Sequence, residues 1–370
     1  MKVQILTTNL QTKLSFLNRA ISPKSQLPVL QNFLIEAKND KVKLSSTDLE
    51  IGIEIFCSGV ITEEGETTVP AKLFTELINS LNDESLTLET DENTLEVKTK
   101  RTKSVFQTIS SEEFPKLYEE KGDQLAVLDG KEVKKEFSSV VFAASNDTTR
   151  PALSGVLVRK EAEGFLLVAT DGYRLSLRHY KTSANQTGGE SASFIIPARV
   201  FRELLSLKDD GSNIMVFVSQ QNNQIMFQQD DTILIGRLIE AEFPNFEKII
   251  PSDFSVSVSF EREELLKAVK ICSVFAKDSA NIIKLALSSD HITVSSGISA
   301  IGENTVRVEA KLSGEENEIA FNARYLLDVL SNVEENDLVF DMIGPLNPGV
   351  FRVQGDTSYL HLIMPIRVQA

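Results

Sequence analysis

The sequence predicts an α+β fold in three tandem copies of one module, each with two helices packed on antiparallel strands. Three recurring markers predict it. A strand runs into an amphipathic helix at Thr68–Phe74, again at Phe194–Phe201 and again at Ile319–Leu326, with Ala71, Ala198 and Ala323 in register. A strand ends in a polar turn at Leu44–Asp48 and Leu167–Asp171, and more weakly at Ile292–Ser296. Glu113-Phe114-Pro115-Lys116-Leu117 matches Glu242-Phe243-Pro244-Asn245-Phe246, and Ile363-Met364-Pro365-Ile366 falls at the corresponding place near the C-terminus. The markers share a period of about 125 residues, the signature of a repeat architecture, and three such periods fill the 370-residue chain.

Each copy is expected to open with a helix. Leu10, Leu14, Leu17 and Ile21 follow helical spacing, as do Val133, Phe137, Val140, Val141 and Ala144, and Leu265, Val269, Cys272 and Ala276. A second helix follows each alanine marker through Phe74, Leu77, Ile78 and Leu81, through Phe201, Leu204 and Leu205, and through Leu326, Val329, Leu330 and Val333. Between them lie alternating strands, clearest at Phe254–Phe260, Leu95–Thr99 and Thr305–Glu309. The expected domains are 1–120, 129–250 and 254–370. Their junctions, at Tyr118–Gly130 and at Ile250–Phe254 with Pro251, are short enough to join them rigidly.

The composition is that of a soluble globular protein, with 42% hydrophobic and 25% charged residues. No apolar run reaches the roughly 18 residues that cross a bilayer, and the N-terminus is too polar for a signal peptide, so no membrane association and a cytoplasmic location are expected. Cys57 and Cys272 read as reduced structural thiols. His179, His291 and His361 are scattered, which argues against a zinc site. No phosphate-binding glycine loop, GxSxG or HExxH is present, so neither a catalytic centre nor a cofactor is expected. The pairs Glu63-Glu64, Asp209-Asp210 and Asp230-Asp231 read as solvated turns, and Asp48 and Asp171 as turn formers bonding backbone N–H groups.

The net charge of −15, taken alone, argues against nucleic-acid binding, but its distribution matters more. The six helical stretches sum to +6, leaving −21 elsewhere. That segregation suits a helical face turned to a polyanion with strands turned to solvent. It equally suits basic residues that only solvate the helices.

With the repeat in place, several stretches become specific. Leu27–Asn32, Thr148–Val156, Val168–Leu175, Phe243–Phe246 and Met364–Arg367 occur in order, and with them the whole chain resembles the DNA polymerase III β subunit family of sliding clamps. The resemblance implies a non-catalytic processivity factor: three DNA-clamp domains per chain, closed head-to-tail by a homodimer into a ring around duplex DNA without sequence specificity. It implies replicative and repair polymerases and clamp-loader subunits as partners, docking through linear peptide motifs. The implied peptide pocket consists of Leu153, Thr170, Gly172, Tyr173, Arg174, Leu175, Pro244, Lys248, Ile249, Ile363, Met364, Pro365, Ile366 and Arg367. Read without the family, these are core residues. Tyr173 stands where members often carry histidine, and Lys248 where an arginine is common, which removes a two-pronged donor. The implied DNA contacts are Lys24, Lys72, Arg150, Arg199 and Arg202, with Asp147-Thr148-Thr149-Arg150 offering no aromatic ring for stacking. Phe106, Val274 and Phe275 are candidates for the dimer interface or, alternatively, ordinary core residues. Two rivals remain: a monomeric hydrolase or transferase, which lacks its motifs, and a peptide adaptor that does not hold DNA.

Overall fold

A computed structural model describes residues 1–22, 25–182, 192–207, 211–277, 280–296 and 302–367. The first repeat runs β1 (Lys2–Leu6), α1 (Thr7–Leu17), β2 (Asn32–Lys38), β3 (Lys41–Thr47), β4 (Ile51–Cys57), β5 (Gly59–Glu63), β6 (Gly65–Pro70), α2 (Ala71–Ser80), β7 (Ser85–Asp91), β8 (Thr94–Lys98) and β9 (Lys103–Gln107). The second runs β10 (Asp123–Asp129), α3 (Gly130–Val141), β11 (Gly155–Glu161), β12 (Gly164–Thr170), β13 (Arg174–Lys181), β14 (Ser193–Pro197), α4 (Ala198–Leu205), β15 (Asn213–Ser219), β16 (Gln224–Gln229) and β17 (Thr232–Arg237). The third runs β18 (Val256–Glu261), α5 (Arg262–Ala276), β19 (Ile282–Leu287), β20 (His291–Ser296), β21 (Thr305–Ser313), β22 (Asn317–Asn322), α6 (Ala323–Asn332), β23 (Asp337–Met342), β24 (Gly349–Val353) and β25 (Tyr359–Ile363).

All three second helices start on the alanine marker. The preceding proline or asparagine ends the strand, and Asn322 caps its helix by accepting from the Arg324 N–H at 2.9 Å. The helices pack in pairs within each repeat. Gln11 of α1 donates to the Ile78 and Leu81 carbonyls at the end of α2, at 2.9 and 3.1 Å. Phe137 of α3 meets Phe201 of α4 edge to face at 5.3 Å. Arg262 of α5 donates to the Leu330 carbonyl of α6 at 2.8 Å, where a cation also suits the helix C-terminus.

The chain divides into two compact units, and the division does not follow the repeats. One comprises chiefly Met1–Gly130 with Ser206–Leu238, the other chiefly Lys131–Ser183, Gly189–Leu205 and Ile239–Ala370. The strand pairing explains this. In the first unit, β17 of repeat two adds antiparallel to β4 of repeat one, Thr232 opposite Ile55 and Gly236 opposite Ile51. One eight-stranded sheet results, ordered β10-β15-β16-β17-β4-β3-β2-β6. In the second unit, β25 of repeat three adds to β13 of repeat two, Arg174 opposite Ile363 and Arg178 opposite Tyr359, inside a twelve-stranded sheet. Each joint is therefore a shared sheet, not a linker.

Two expectations are corrected. Each repeat opens with a strand, not a helix: β1, β10 and β18 precede α1, α3 and α5. The stretch Tyr118–Gly130 is also not a plain junction. Its apolar Leu125, Ala126 and Leu128 are buried on β10, a short run masked in the sequence by the surrounding charges and broken by a shift in register between Gln124 and Ala126. Tyr118 packs on the β16–β17 core and donates its hydroxyl to Glu54 at 2.9 Å. The turn reading of the two aspartates holds. Asp48 Oδ1 accepts from the Glu50 and Ile51 N–H groups, and Asp171 Oδ1 from those of Tyr173 and Arg174, all between 2.9 and 3.1 Å. The equivalent turn of the third repeat lies outside the described residues.

The β13–β25 joint encloses a polar cluster. Arg178 is buried, bonded to Glu136 and, at 3.0 Å, to Asp356. His361 is fully buried with Nδ1 3.1 Å from the Ser176 hydroxyl and Nε2 without a hydrogen-bond partner. Burial first, then the Arg174 charge, hold its imidazole well below the usual histidine range.

Two outcomes follow from this architecture. The unfolded chain binds a proton at His361 below about pH 6.5 while the folded chain does not, so stability present above that pH is lost as pH falls. Urea unfolding at fixed protein concentration should show His361→Gln losing about 1 kcal/mol less than the parent per pH unit between pH 6 and 5. Secondly, the paired turns place Gly172 at φ 92° but Leu49 at φ 77°, where a leucine is strained and 53% exposed. Leu49→Gly should raise stability by about 0.5–1 kcal/mol, read as a higher denaturation midpoint; a lower midpoint would refute the strain.

Candidate functional site

The second joint carries a surface built from four chain segments. The first is the turn between β12 and β13. Thr170 donates its hydroxyl to the Arg174 carbonyl at 2.6 Å, and Gly172 at its left-handed φ has open space around it, with only the Arg150 guanidinium 3.6 Å from where a Cβ would stand. Tyr173 thereby projects outward, 60% exposed. The second segment is the loop after α3. Arg150 donates to Asp147 at 3.1 Å and to the Asp171 carbonyl at 3.3 Å, which ties this loop to the turn, and Leu153 follows it half-buried.

The third segment is the C-terminal end of β25. The Met364 N–H donates to the Tyr173 carbonyl at 2.8 Å, extending the strand joint by one bond, and the Met364 side chain is 41% exposed. Pro365 and Ile366 continue half-buried, the Ile366 N–H bonded to the Ala320 carbonyl at 2.8 Å, and Arg367 is exposed. The fourth segment is the Phe243–Ile249 stretch. Phe243 and Phe246 meet edge to face at 6.3 Å and pack on the core under the joint with Leu175 and Leu362. Pro244, Lys248 and Ile249 remain exposed.

The fourteen residues named from the sequence thus divide. Gly172, Tyr173, Pro244, Lys248, Ile249, Met364 and Arg367 reach solvent, with Leu153, Pro365 and Ile366 partly so. Thr170, Arg174, Leu175 and Ile363 are buried. Leu175 and Ile363 belong to the packed core on either side of the joint. Arg174 is committed internally. It pairs with Asp171 at 3.1 Å and Asp328 at 2.5 Å, donates to the Phe142 carbonyl at 3.0 Å, and stacks 4.7 Å from the Tyr325 ring centre. Its guanidinium supports the surface without being part of it.

Two residues were missed. Gly349 pairs with Ile363, so the loop between β23 and β24 lies beside the Met364 end of the joint. That loop exposes Ile343 and Leu346. Its Gly344-Pro345-Leu346-Asn347-Pro348 sequence signals a turn, and a leucine inside a turn was the available clue.

The basic candidates are dispersed. In the first unit Lys72 is exposed on α2, and Lys24 lies outside the described residues. Lys13 of α1 is tied to Asp231 and to the Phe56 carbonyl, so it serves the first joint. In the second unit Arg202 of α4 is exposed and donates to Asn146 at 3.2 Å, Arg199 is half-buried, and Arg150 is engaged as above.

The interface candidates sit on two open edges. β9 is the last strand of its five-stranded sheet, ordered β5-β1-β7-β8-β9. It exposes Val105, and its half-buried Phe106 meets Phe74 of α2 at 6.0 Å. On the third repeat, Val274 is 63% exposed on α5, Phe275 is half-buried, and Ile271 one turn earlier is also exposed. Val105 and Ile271 extend the set named from the sequence.

Burial raises both cysteine thiols to about 11, which leaves them unreactive at neutral pH. No group of three metal-ligating side chains occurs among the described residues, and no helix among them is long and apolar enough to cross a membrane.

Three family models cover nearly the whole chain. They are those of the DNA polymerase III beta subunit N-terminal domain over residues 1–118, central domain over 127–245 and C-terminal domain over 247–367. The beta sliding clamp of Synechococcus elongatus is 28% identical across the full length of both chains, and that of Staphylococcus aureus is 28% identical over 96% of each. Among solved structures, the DNA polymerase sliding clamp of Bacillus subtilis matches with a TM-score of 0.94 at 25% identity, and the DNA polymerase III beta subunit of Thermotoga maritima with 0.89 at 26%, both covering all of each chain. The chain belongs to the DNA polymerase III beta subunit family, the beta sliding clamps.

Proposed function

We propose that two copies of this chain close head to tail into a ring around duplex DNA and serve, without catalysis, as the processivity clamp of a replicative polymerase. One observation carries the reading. The chain makes the same sheet joint twice, β17 onto β4 and β25 onto β13, and leaves the components of a third joint unused. By the order of the repeats, β9 is the counterpart of β17 and β25, and β21 the counterpart of β4 and β13. β9 is a sheet edge. Residues 305–309 of β21 pair with β20 on one side and with no strand on the other among the described residues. The two edges are not paired with each other among the described residues. A second copy satisfies both, and a heterologous contact of this kind closes into a ring when the rotation per step permits. Val105 and Phe106 on one edge and Ile271, Val274 and Phe275 on the helix packed over β21 supply apolar cover for that joint.

Topology then replaces tight binding. Lys24, Lys72, Arg150, Arg199 and Arg202 are proposed to give weak, salt-sensitive phosphate contact without base reading, which permits sliding. The surface around Tyr173, Ile249 and Met364 is proposed to dock linear peptides of polymerases, clamp-loader subunits and repair proteins. Methionine and an exposed tyrosine adapt to varied side chains there. A cytoplasmic location accords with this role. The boundaries 1–120, 129–250 and 254–370 are proposed for the domains, with β10 (Asp123–Asp129) added to the second, since it pairs with β15.

Sedimentation should show the parent as a dimer and Val274→Asp as a monomer, since a charge at an apolar joint is left unpaired. After loading, the parent should remain on closed circular DNA and leave the same DNA once linearised. Equal retention on both would end the ring reading. Met364→Ala with Tyr173→Ala should weaken a labelled polymerase tail peptide about tenfold while the dimer persists, as expected for anchors at a small interface. Unchanged affinity would move the pocket elsewhere.

A further inference from the structure

The two internal joints share one register, and it fixes the register of the joint left open. In the first, Gly236 stands opposite Ile51 and Ile233 opposite Glu54. In the second, Ile363 stands opposite Arg174 and Leu360 opposite Leu177. The donated strands correspond through their hairpins. Leu6, Asp129 and Glu261, each just before a first helix, pair with Ser85, Asn213 and Asp337. From there β7–β8–β9 follows the same pairing as β15–β16–β17 and β23–β24–β25, which puts Phe106 in the place of Gly236 and Ile363. Lys103, three residues earlier, takes the place of Ile233 and Leu360. The receiving strands correspond through the polar-turn marker. Thr47, Thr170 and Ser295 pair with Gly52, Leu175 and Thr305. Two residues further on, Arg307 takes the place of Glu54 and Leu177.

The row thus reads Ile233 against Glu54 in the first joint, Leu360 against Leu177 in the second, and Lys103 against the partner's Arg307 in the third. Neither internal joint opposes like charges there. Glu54 is held by Lys43 and by the Tyr118 hydroxyl. Lys103 and Arg307 are both exposed, on the faces of β9 and β21 turned away from the helices. The Arg237 N–H donates to the Glu50 carbonyl at 3.0 Å and that of Met364 to Tyr173 at 2.8 Å. Counting in twos from those bonds, Lys103 and Arg307 fall on a hydrogen-bonded pair, with Cα atoms about 5.5 Å apart.

The neighbouring charges only partly relieve this opposition. Lys103 is paired with Glu96 of its own chain. Arg101 takes the place of Asp231 and Ser358, whose carbonyls accept from Phe56 and His179 at 2.8 Å, so it comes opposite the partner's Glu309. Across the joint, Arg307 therefore meets cations alone, Lys103 directly and Arg101 on the diagonal. On its own sheet it lies opposite Thr293, and His291 opposite Glu309 is engaged by Asp290 at 2.6 Å.

We infer that closing the ring sets Lys103 of each copy directly against the partner's Arg307, a like-charge pair that makes the joint between copies weaker than the joints within a chain. The inference rests on the ring reading above. A closed ring admits closed circular DNA only by opening, and this pair assigns the opening to the intermolecular joint.

The test is the dimer dissociation constant of the full chain, measured by sedimentation at fixed ionic strength. Arg307→Glu should dimerise about fivefold more tightly than the parent, since each of the two joints in the ring exchanges a repulsive cross-strand pair for an attractive one. Lys103→Glu alone should also tighten the dimer, by less, because Glu309 lies on its diagonal. Both substitutions together set Glu against Glu and should return the constant close to the parental value. A dimeric parent whose single variants bind no more tightly overturns the inference and leaves the ring standing. A gain from Arg307→Glu that survives the addition of Lys103→Glu overturns it as well, because Arg307 then faces another residue. A parent that stays monomeric overturns the ring reading and this inference together.

Discussion

The antiparallel bond row between one repeat's β4-type strand and the next repeat's β17-type strand is the constraint on which the rest depends. It makes each repeat incomplete by itself. A half-buried sheet with a bare edge exposes a row of N–H and C=O groups that any other edge can capture. Here the capture is internal at both β17–β4 and β13–β25. The two compact units are therefore sheets completed across repeat boundaries. The sequence period and the mechanical unit differ for that reason.

The joints are held by more than backbone. Each buries charge where strands of two repeats meet: Glu54 with Lys43 and the Tyr118 hydroxyl in the first, Arg174 and Arg178 with four carboxylates in the second. Buried ion pairs contribute little net stability, because desolvation offsets most of the attraction. Their effect is on register. A slip of one residue would reverse every side chain on the strand and strand these charges without partners, at several kcal/mol each. Tyr118 shows the same pressure from the other side: burial, then the Glu54 carboxylate, push its phenol far up, so it stays a donor. A ring that must close at a fixed angle needs joints that admit one register only.

The repeat, the six helices and the antiparallel strands were legible in the sequence because apolar periodicity and the alanine markers are local signals. The aspartate turns were legible for the same reason. The opening strand β10 was not, because its short apolar run does not alternate and sits among charged neighbours. The shared sheets were not, because strand pairing across repeats leaves no mark in a single strand's pattern. The family resemblance supplied the docking surface, but not which of its residues reach solvent. Arg174 looks like a ligand-binding arginine until its partners Asp171, Asp328 and the Phe142 carbonyl are seen. Leu346 was hidden by the opposite effect, a leucine whose turn context says exposed while its chemistry says buried.

Divergence between the copies is concentrated where the backbone is most alike. At the turn position with positive φ, the second repeat has Gly172 and the first Leu49. At the strand position behind it, the second has Leu175, buried in the core, and the first Gly52, where a Cβ would meet Leu117 at 3.3 Å. Side-chain volume has moved from the strand to the turn. In the second joint this fills the floor and clears the rim, so a broad apolar surface around Tyr173 and Met364 lies open. In the first, Leu117 and Ile235 occupy the space that Gly52 leaves, so the floor is filled from neighbouring segments while Leu49 stands exposed at the rim. A joint copied for its bond row can thus be repacked without losing the bonds that hold the sheets together, since Gly52 opposite Ile235 and Leu175 opposite Leu362 keep their places in the row through backbone groups, whatever their side chains.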